Sequence, residues 1–425
     1  MTRPYTIVVY GASGFTGEFI IEDLVKYLCR QQETMKWAVG GRNESKIRAT
    51  LTSIGKRTGM NLDDVPILTA SAEDSQSLDQ LTSQCTILIN CTGPFRFFGE
   101  PVVAACIRNE CHYVDVTGEP QFMETMQLKY QKEAMEKGVY VICGCGLDSI
   151  PCDIGVNFTR DNFTGTVDSV ESYLIGIGDV TANVTTWECA VEGFADVANL
   201  TKVRRQLFTE QFAEPAKIKP KFPLARKGIH KVTEPDRQMT GHAMPFPGAD
   251  RSVVRRSQMA NYLLFGERSM IQVEAYMVQS LWKTLSWCMM GVWIQLFAKY
   301  SWGRSLLKRN PGFFTFGLFR KGGPSAEEID AGSFSIVFKG LGWKNDESQD
   351  QPPTHKIVTK VSGPHPGYPA CATCCNQAVM TLLHESDRMP LTGGVHTPGT
   401  AFRKTTLVDR LNENGIKFVV LENDS

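Results

Sequence analysis

Three glycines spaced three residues apart follow a short β-branched run near the N-terminus, and this pattern constrains the fold more than any other part of the chain. Residues 6–10 predict a buried strand, Gly11, Gly14 and Gly17 follow at once, and the apolar residues after them recur at helical spacing. A strand, a glycine turn and a helix in this order are the context of a dinucleotide-binding loop. The pattern therefore predicts a nucleotide site at the start of the chain.

The roles of the three glycines follow from their lack of a side chain. The first permits a tight turn, the second lets backbone N–H groups approach a pyrophosphate, and the third lets helix and strand pack closely. The helix N-terminus adds its positive dipole end. The alternative is that the glycines form only a turn. We predict that the cofactor contacts the following residues: Gly11, Ser13, Gly14, Phe15, Thr16 and Gly17.

The second predicted strand bears on which dinucleotide is bound. Residues 37–40 form this strand, and Arg42 follows it closely. NAD-dependent enzymes usually place a ribose-binding acid here, whereas a guanidinium can bind a 2′-phosphate bidentately. NADP(H) is therefore favoured over NAD(H). In the alternative interpretation, Arg42 merely begins a solvated helix together with Glu44 and Lys46.

Strands and helices then alternate through the first third of the chain. Further strands are predicted at residues 65–68, from residue 86, at 112–116 and at 138–143, with helices at 75–81, at 100–108 and around 122–134. This rhythm is typical of an α/β protein with an N-terminal Rossmann-like, doubly wound parallel sheet. The fourth strand of such a sheet ends near the nicotinamide, so we expect Cys91, Thr92 and Gly93 to line the cofactor. An ordinary strand-exit turn is the alternative.

Four acidic residues lie where predicted strands end, and they are the candidates for handling a proton: Asp115, Glu119, Asp148 and Asp153. Acids are also common as helix caps and turn residues, which is the alternative. No Ser-His-Asp set, phosphate-binding Gly-Lys-Ser/Thr loop or metal-ligand cluster is visible, so we expect no metal site and neither hydrolysis nor phosphoryl transfer. With NADP(H), the protein needs only to orient a substrate and manage one proton.

The length of 425 residues exceeds one ordinary core, so two domains are expected. We place a nucleotide-binding domain at residues 1–155, an α+β domain at residues 156–375 and a C-terminal segment at residues 376–425. Runs at 170–175, 333–339 and 356–361 predict strands of the second domain. Residues 204–256, rich in Pro, Lys and Arg, predict a surface insertion with little core.

Charge and cysteine content narrow the expected partners and compartment. Lys plus Arg and Asp plus Glu number 45 each, so no net field favours nucleic acid. The 13 cysteines lack paired metal-ligand spacing, and we expect buried, reduced thiols in an intracellular compartment. No charged and then apolar leader precedes the first strand, so we expect no cleaved secretory signal.

Residues 281–319 hold two short apolar runs bracketed by aromatic and basic residues. The stretch 284–298 carries no charge and is shorter than the ~20 residues that a membrane-spanning helix needs. Trp282, Trp287, Trp293 and Trp302 are typical of a membrane interface. We therefore expect this segment to bind a lipid monolayer or membrane surface. A buried core helix or a homo-oligomer interface is the alternative.

Six motifs occur in one order along the chain and resemble those of the saccharopine dehydrogenase-like oxidoreductases. They are GASGFTG at 11–17, GR at 41–42, NCTGPF at 90–95, DVTGE at 115–119, GLDSIP at 146–151 and GGVHTPG at 393–399. The resemblance implies an oxidoreductase whose C-terminal segment packs back on the nucleotide domain. The chain differs from saccharopine reductases themselves at residues 146–153, where GLDSIPCD lacks their glycine pair and histidine.

The resemblance extends to trans-acting enoyl reductases of glycolipid assembly, which favours an acyl chain over an amino acid as substrate. We predict an NADP(H)-dependent oxidoreductase of lipid metabolism that acts on a lipid-like substrate at a membrane or lipid-droplet surface, with the mitochondrion as an alternative location. A second hypothesis is a non-catalytic lipid-associated protein that retains the nucleotide fold. A third is a soluble saccharopine-forming enzyme.

Overall fold

Two seven-stranded sheets form the framework of the protein, described here from a computed structural model at residues 3–178, 181–267, 270–345 and 347–424. The strands within these residues are, in chain order, β1 (Tyr5–Tyr10), β2 (Trp37–Gly41), β3 (Ile67–Thr69), β4 (Cys85–Asn90), β5 (His112–Asp115), β6 (Tyr140–Ile142), β7 (Gly165–Ile177), β8 (Ala182–Asn183), β9 (His230–Glu234), β10 (Met239–Pro245), β11 (Gln272–Gln279), β12 (Phe319–Arg320), β13 (Ser333–Lys344), β14 (His355–Pro364), β15 (Gly394–His396) and β16 (Lys417–Asn423).

The helices connect these strands and cover both sheets. They are, in chain order, α1 (Phe15–Gln31), α2 (Glu44–Thr58), α3 (Ser75–Thr82), α4 (Phe95–Arg108), α5 (Pro120–Glu136), α6 (Ile150–Asp161), α7 (Val184–Ala195), α8 (Val197–Glu210), α9 (Asp250–Phe265), α10 (Leu281–Phe297), α11 (Ser301–Arg309), α12 (Pro311–Phe314), α13 (Ala326–Ala331), α14 (Cys371–Glu385), α15 (Pro398–Ala401) and α16 (Leu407–Glu413).

The first sheet is parallel and has the strand order β15-β6-β5-β4-β1-β2-β3. Its strands are apolar on both faces because helices cover both. Ile7 and Val9 share a core with α1, whereas Val8 shares one with α4. The order reverses between β1 and β4, as in dinucleotide-binding folds, and ligands bind at the carboxyl ends of the strands at such a point. The predicted Rossmann-like α/β fold is confirmed.

The second sheet has the order β16-β14-β13-β7-β11-β10-β9, and its neighbours are antiparallel except for β7 and β11. Helix α6 leaves the first sheet after β6 and lies against this second sheet. The contact depends on Gly155, where a Cβ would come within 2.3 Å of the Phe338 ring. The two sheets are thus joined by packing as well as by the chain. The α+β character predicted for the second part of the fold is confirmed.

The C-terminal residues contribute to both sheets. Strand β15 pairs in parallel with β6, and β16 pairs antiparallel with β14. Helix α14 packs along α1, where Asn376 Nδ2 donates to the Ile20 carbonyl oxygen at 3.0 Å and to Asp23 Oδ2 at 2.8 Å. The tail therefore lies against the nucleotide-binding elements through α14 and β15. The domain limits at residues 155 and 375 stay predictions.

The prediction of a surface insertion at residues 204–256 is wrong. Strands β9 and β10 lie in this stretch and extend the second sheet, and Met239 and Ala243 are fully buried. The first turns of α9 are buried as well, including the side chains of Asp250 and Arg256. The composition concealed these elements because β9 is an edge strand, where charged side chains protect the open edge.

Helices α10, α11 and α12, which we call the apolar unit, pack on α7. Trp187 and Val191 of α7 form a separate core with Met290 and Ile294 of α10. The outer face of α10 is largely apolar, and its exposed large apolar residues are Leu281, Trp282, Leu285, Met289, Val292 and Leu296, beside the exposed Lys283, Gly291 and Gln295. Trp282 is 77% exposed. An ordinary surface helix has polar residues on its solvent-facing side, whereas α10 has mainly apolar residues there. In the described parts of the chain, no helix combines the length and hydropathy needed to cross a bilayer.

Candidate nucleotide and substrate site

The glycine turn lies at the carboxyl end of β1, where Gly11 has a φ of 86° that favours glycine. The Gly14 N–H donates to the Gly11 carbonyl oxygen at 2.9 Å and closes the turn. A Cβ on Gly17 would lie 2.4 Å from that same oxygen, so α1 can approach the turn only with glycine there. Gly14 itself is exposed and has extended backbone, which leaves its surface open to a ligand.

Two features of the turn fit a dinucleotide. Helix α1 begins at Phe15 without a capping side chain, so its first N–H groups are left for an anion. Thr92 Oγ1 is buried without a hydrogen-bond partner and lies 2.7 Å from where a Cβ on Gly11 would be. A cofactor oxygen at this point would satisfy that hydroxyl. Ser13 and Thr16, also predicted as contacts, are half-buried on the same turn.

Arg42 lies in a narrow cleft beside the turn. The cleft is lined by Tyr10, Arg42, Ser71, Ala72, Glu73, Thr92, Gly93 and Phe98. The Arg42 side chain is exposed, so a 2′-phosphate can reach its guanidinium. Glu73 on the same lining would repel a phosphate, which restricts a bound 2′-phosphate to the Arg42 side of the cleft.

The loop after β4 forms the wall next to the turn. The Cys91 N–H donates to the Tyr10 carbonyl oxygen at 2.8 Å, and the Thr92 N–H donates to Asn90 Oδ1 at 2.9 Å. These bonds hold Cys91, Thr92 and Gly93 beside the glycine turn. Their contact with the nicotinamide stays a prediction.

Asp115 is fully buried and fixes the carboxyl ends of β5 and β6. Its Oδ1 accepts hydrogen bonds from the N–H groups of Thr117 at 3.0 Å and Gly144 at 2.7 Å, and its Oδ2 accepts one from the Tyr113 hydroxyl at 2.8 Å. Burial raises the pKa of Asp115 to about 6, although these donors act against the rise. With both oxygens occupied, this carboxylate is built to hold two loops.

Glu119 holds the start of α4 and connects it to α7. Its Oε1 accepts the Phe95 N–H at 2.8 Å, and its Oε2 pairs with Arg96 Nε at 2.7 Å. Arg96 also donates to the Glu192 carbonyl oxygen at 2.9 Å. Glu119 and Arg96 are therefore committed to each other and to the backbone.

Asp153 links α6 to α9 and to the C-terminal segment. Its Oδ2 accepts the Ser257 hydroxyl and the Gly399 N–H, both at 2.7 Å. A Cβ on Gly399 would lie 2.4 Å from Asp153 Oδ1, so the loop before α15 meets the carboxylate closely. Burial raises the pKa of Asp153 to about 6.

Asp148 differs from the other three acids because, in the part of the chain that the structure describes, no hydrogen bond or ion pair holds its carboxylate. It lies in the loop after β6, half-buried, with Oδ2 2.5 Å from where a Cβ on Gly118 would be. Burial alone raises the pKa of Asp148 to about 6. Among the four predicted acids, Asp148 is the one with neither oxygen engaged by a described group, whereas Asp153 keeps only its buried Oδ1 without a partner.

Two residues near Asp148 escaped the sequence analysis. Asp250, at the start of α9, is buried with Oδ1 unpartnered, and burial together with the Asp148 charge raises its pKa well above the ordinary value. The Cys371 sulfur lies 2.8 Å from where a Cβ on Gly146 would be. Asp250 was hidden in the presumed insertion, and the position of Cys371 depends on long-range packing. Within the described residues, no group of three or more His, Cys, Asp or Glu side chains is arranged to hold a metal ion.

Residues that follow α6 in the chain contact the loop after β4 and the start of α1. Thr185 of α7 lies 3.9 Å from where a Cβ on Gly93 would be. Tyr368 packs edge-on against Phe15, with ring centroids 4.6 Å apart, and its hydroxyl accepts the Asn183 N–H at 2.7 Å. Thr185 and Tyr368 thus bring two segments from beyond α6 next to Gly93 and to the start of α1.

The chain matches, at residues 7–142, the family described as the saccharopine dehydrogenase NADP binding domain. It is 40% identical to the human saccharopine dehydrogenase-like oxidoreductase, over 99% of this chain and 98% of that relative. The chain belongs to the saccharopine dehydrogenase-like oxidoreductases. The predicted resemblance and the prediction of NADP(H) as cofactor are both confirmed.

Two further comparisons bear on location and fold. A Caenorhabditis elegans relative named lipid droplet localized protein is 37% identical to this chain, over 97% of each of the two chains. The structure of apo saccharopine dehydrogenase (L-Glu forming) from Saccharomyces cerevisiae has a TM-score of 0.54, with 13% identity, and covers 98% of this chain and 100% of its own. That likeness extends the shared fold to both sheets.

Proposed function

We propose that this saccharopine dehydrogenase-like oxidoreductase uses NADPH to reduce a lipid-like substrate at the surface of a lipid droplet or membrane. The observation that carries the proposal is the position of α7. One side of this helix faces the cleft, through Thr185 beside Gly93, and the other packs on the apolar unit, through Trp187. A lipid at the apolar unit would thus lie one helix away from the nicotinamide end of the site.

The charge around the apolar unit supports a lipid surface as the partner. Residues 281–325 contain Lys and Arg but no Asp or Glu, and the basic residues are Lys283, Lys299, Arg304, Lys308, Arg309, Arg320 and Lys321. Arg304 and Lys308 pair with Glu192 of α7, and Arg320 pairs with Glu328. Each basic group near an anionic membrane surface that is not neutralised in this way contributes about 1 kcal/mol of attraction. The name of the C. elegans relative supports a lipid droplet as this surface.

The chemistry divides between the cofactor and Asp148. When bound, NADPH supplies a hydride for a polarised C=C or C=O bond. The glycine turn binds the phosphates through backbone N–H groups, Arg42 binds the 2′-phosphate, and the loop at Cys91 lines the nicotinamide. Asp148 supplies the matching proton, because its carboxyl group is engaged by nothing else and its raised pKa of about 6 keeps a protonated fraction near neutral pH.

The test is NADPH oxidation by the full-length protein with vesicles that contain acyl lipids bearing α,β-unsaturated or carbonyl groups, with saccharopine as the soluble comparison. We expect oxidation that depends on the lipid and falls as pH rises through about 6, because Asp148 then loses the proton that it donates. Asp148→Asn should lower turnover about 100-fold and leave NADPH binding intact.

The matched control is Asp168→Asn, a half-buried aspartate of β7 that accepts a hydrogen bond from Gln272 away from the glycine turn. This variant should keep full turnover. If the native protein binds NADPH but oxidises it with no lipid of the panel, the non-catalytic alternative is supported. Turnover with saccharopine alone would contradict a lipid substrate.

A further inference from the structure

A tight turn follows the apolar unit and lies over the start of α1. The Gly323 N–H donates to the Arg320 carbonyl oxygen at 3.2 Å, and Gly322 has a φ of 87°, as in a type II turn with Lys321 at the first central position. A Cβ on Gly323 would come within 2.7 Å of the Phe15 ring. Residues 320–323, which we call the basic turn, therefore touch the first residue of the helix that faces the phosphates.

The glycine turn itself supplies no cation for a pyrophosphate, which carries two negative charges. Residues 6–25 contain no Lys or Arg. Arg96, at the start of α4, is nearly buried and is committed to Glu119 and the Glu192 carbonyl oxygen. Arg42 lies in the cleft assigned to the 2′-phosphate. The first sheet therefore offers the pyrophosphate backbone N–H groups and no side-chain charge.

Lys321 is the cation placed to fill this gap. It is exposed, and among the described residues no hydrogen bond or ion pair engages its ammonium group. Its neighbour Arg320 is instead held by Glu328 at 2.8 Å. Lysine carries its charge on a flexible four-carbon stem, which suits an approach from a turn tip to a phosphate.

We propose that Lys321 binds the pyrophosphate of the bound dinucleotide, so that the basic turn clamps the cofactor from the second half of the chain. The proposal rests on the nucleotide site of the proposed function and not on its lipid substrate. It assigns a cofactor contact outside residues 7–142, the range that matches the NADP-binding domain. It also connects the cofactor directly to the apolar unit, since the basic turn follows α12 and β12 in the chain.

The experiment compares NADPH, NADH and 2′-AMP in fluorescence or calorimetric titrations of the native protein and Lys321→Ala. Because both dinucleotides carry the same pyrophosphate, we expect Kd to rise about tenfold for each, the loss of one charge-assisted hydrogen bond, with an unchanged ratio between them. Binding of 2′-AMP, which carries the 2′-phosphate and no 5′-phosphate, should not change. Lys321→Arg should keep affinity within about twofold to threefold.

Lys299→Ala is the matched control, because Lys299 is another exposed lysine, located between α10 and α11, away from Phe15. It should leave all three affinities unchanged. Affinities of Lys321→Ala within twofold of native would overturn the proposal, and so would a loss confined to NADPH, which would assign Lys321 to the 2′-phosphate. These nucleotide titrations do not test the lipid substrate. If the native protein turns over no lipid, the proposed substrate fails, but the affinities still test the role of Lys321.

Discussion

The four acids at strand ends are alike in sequence and differ by what their oxygens contact. Asp115 and Asp153 accept hydrogen bonds from backbone N–H groups. Glu119 accepts one from a backbone N–H and also pairs with the Arg96 guanidinium. Replacing any of these would leave buried donors unsatisfied, at about 1–3 kcal/mol each. Asp148 has no such donors, so its replacement removes a titrating group without breaking a network. Spacing along the chain brings all four to one edge of the sheet, but only packing separates their roles.

Arg42 carries the residue-scale prediction about cofactor choice. Arg42→Asp should weaken NADPH binding at least tenfold, because a carboxylate repels the 2′-phosphate, and should leave NADH binding unchanged or tighter. Fluorescence titration with both dinucleotides measures the ratio of their affinities. Lys46→Ala, which removes a neighbouring exposed cation on α2, should leave that ratio unchanged. If Arg42→Asp lowers the affinities for NADPH and NADH equally, the guanidinium does not bind the 2′-phosphate.

Among the secondary structure elements, those of the parallel sheet are the most predictable from sequence. Strands β1 and β4 are short apolar runs that end in glycine-containing turns, so their position follows from local pattern. Helix α4 begins at Phe95, earlier than the predicted residue 100, because Glu119 from another element caps its first turn. Strand β9 and helix α9 were missed because an edge strand and a helix with buried polar residues lack the usual apolar periodicity.

The residues of the candidate site could be predicted from the sequence only where the elements that carry them could be predicted. The glycine turn, Arg42 and the loop at Cys91 come from segments whose place in the sheet follows from the alternation of strands and helices. Tyr368 and Thr185 reach Phe15 and Gly93 from parts of the chain beyond α6. Their arrival depends on how the two sheets pack, which no local pattern encodes.

The outer face of α10 provides the prediction at the scale of one element. Replacing Trp282, Leu285 and Val292 together by serine should lower binding to anionic vesicles at least tenfold. Each replacement removes apolar surface that would be buried in the lipid, and burial of such surface contributes ~25 cal/mol per Å² to binding. The melting temperature should change little, since all three side chains face outward. Co-sedimentation with phosphatidylcholine–phosphatidylserine vesicles and thermal unfolding measure the two quantities.

A matched triple variant on β16 separates lipid contact from general loss of surface hydrophobicity. Val419, Val420 and Leu421 are also exposed, at 41%, 41% and 45%, and lie at the open edge of the second sheet. Serine at these positions should leave vesicle binding unchanged. Equal loss in both triple variants would contradict a specific lipid-binding face, and a lowered melting temperature in the α10 variant would favour the buried or oligomeric alternative.

At the scale of the whole molecule, helix α7 lies between the candidate nucleotide site and the apolar unit. On one side, the Glu192 carbonyl oxygen accepts a hydrogen bond from Arg96, which pairs with Glu119 at the start of α4. On the other side, the Glu192 carboxylate pairs with Lys308 at 2.6 Å, and the Trp187 indole donates to the Leu307 carbonyl oxygen at 3.0 Å. These contacts join the apolar unit to α7 and, through Arg96, to the start of α4.

This arrangement predicts that lipid and cofactor binding reinforce each other. A surface that orders the apolar unit also fixes α7 and the basic turn, so part of the ordering cost of NADPH binding is already met. We expect anionic vesicles to tighten NADPH binding about fivefold, and saturating NADPH to tighten vesicle binding by the same factor, since linkage is reciprocal. Paired titrations, each with and without the other ligand, measure both factors. Glu192→Gln, which removes the ion pairs of α7 with Arg304 and Lys308 of the apolar unit, should reduce both factors together and leave each binding event detectable. Vesicles that bind without changing NADPH affinity would show that α7 holds the two regions together without coupling them.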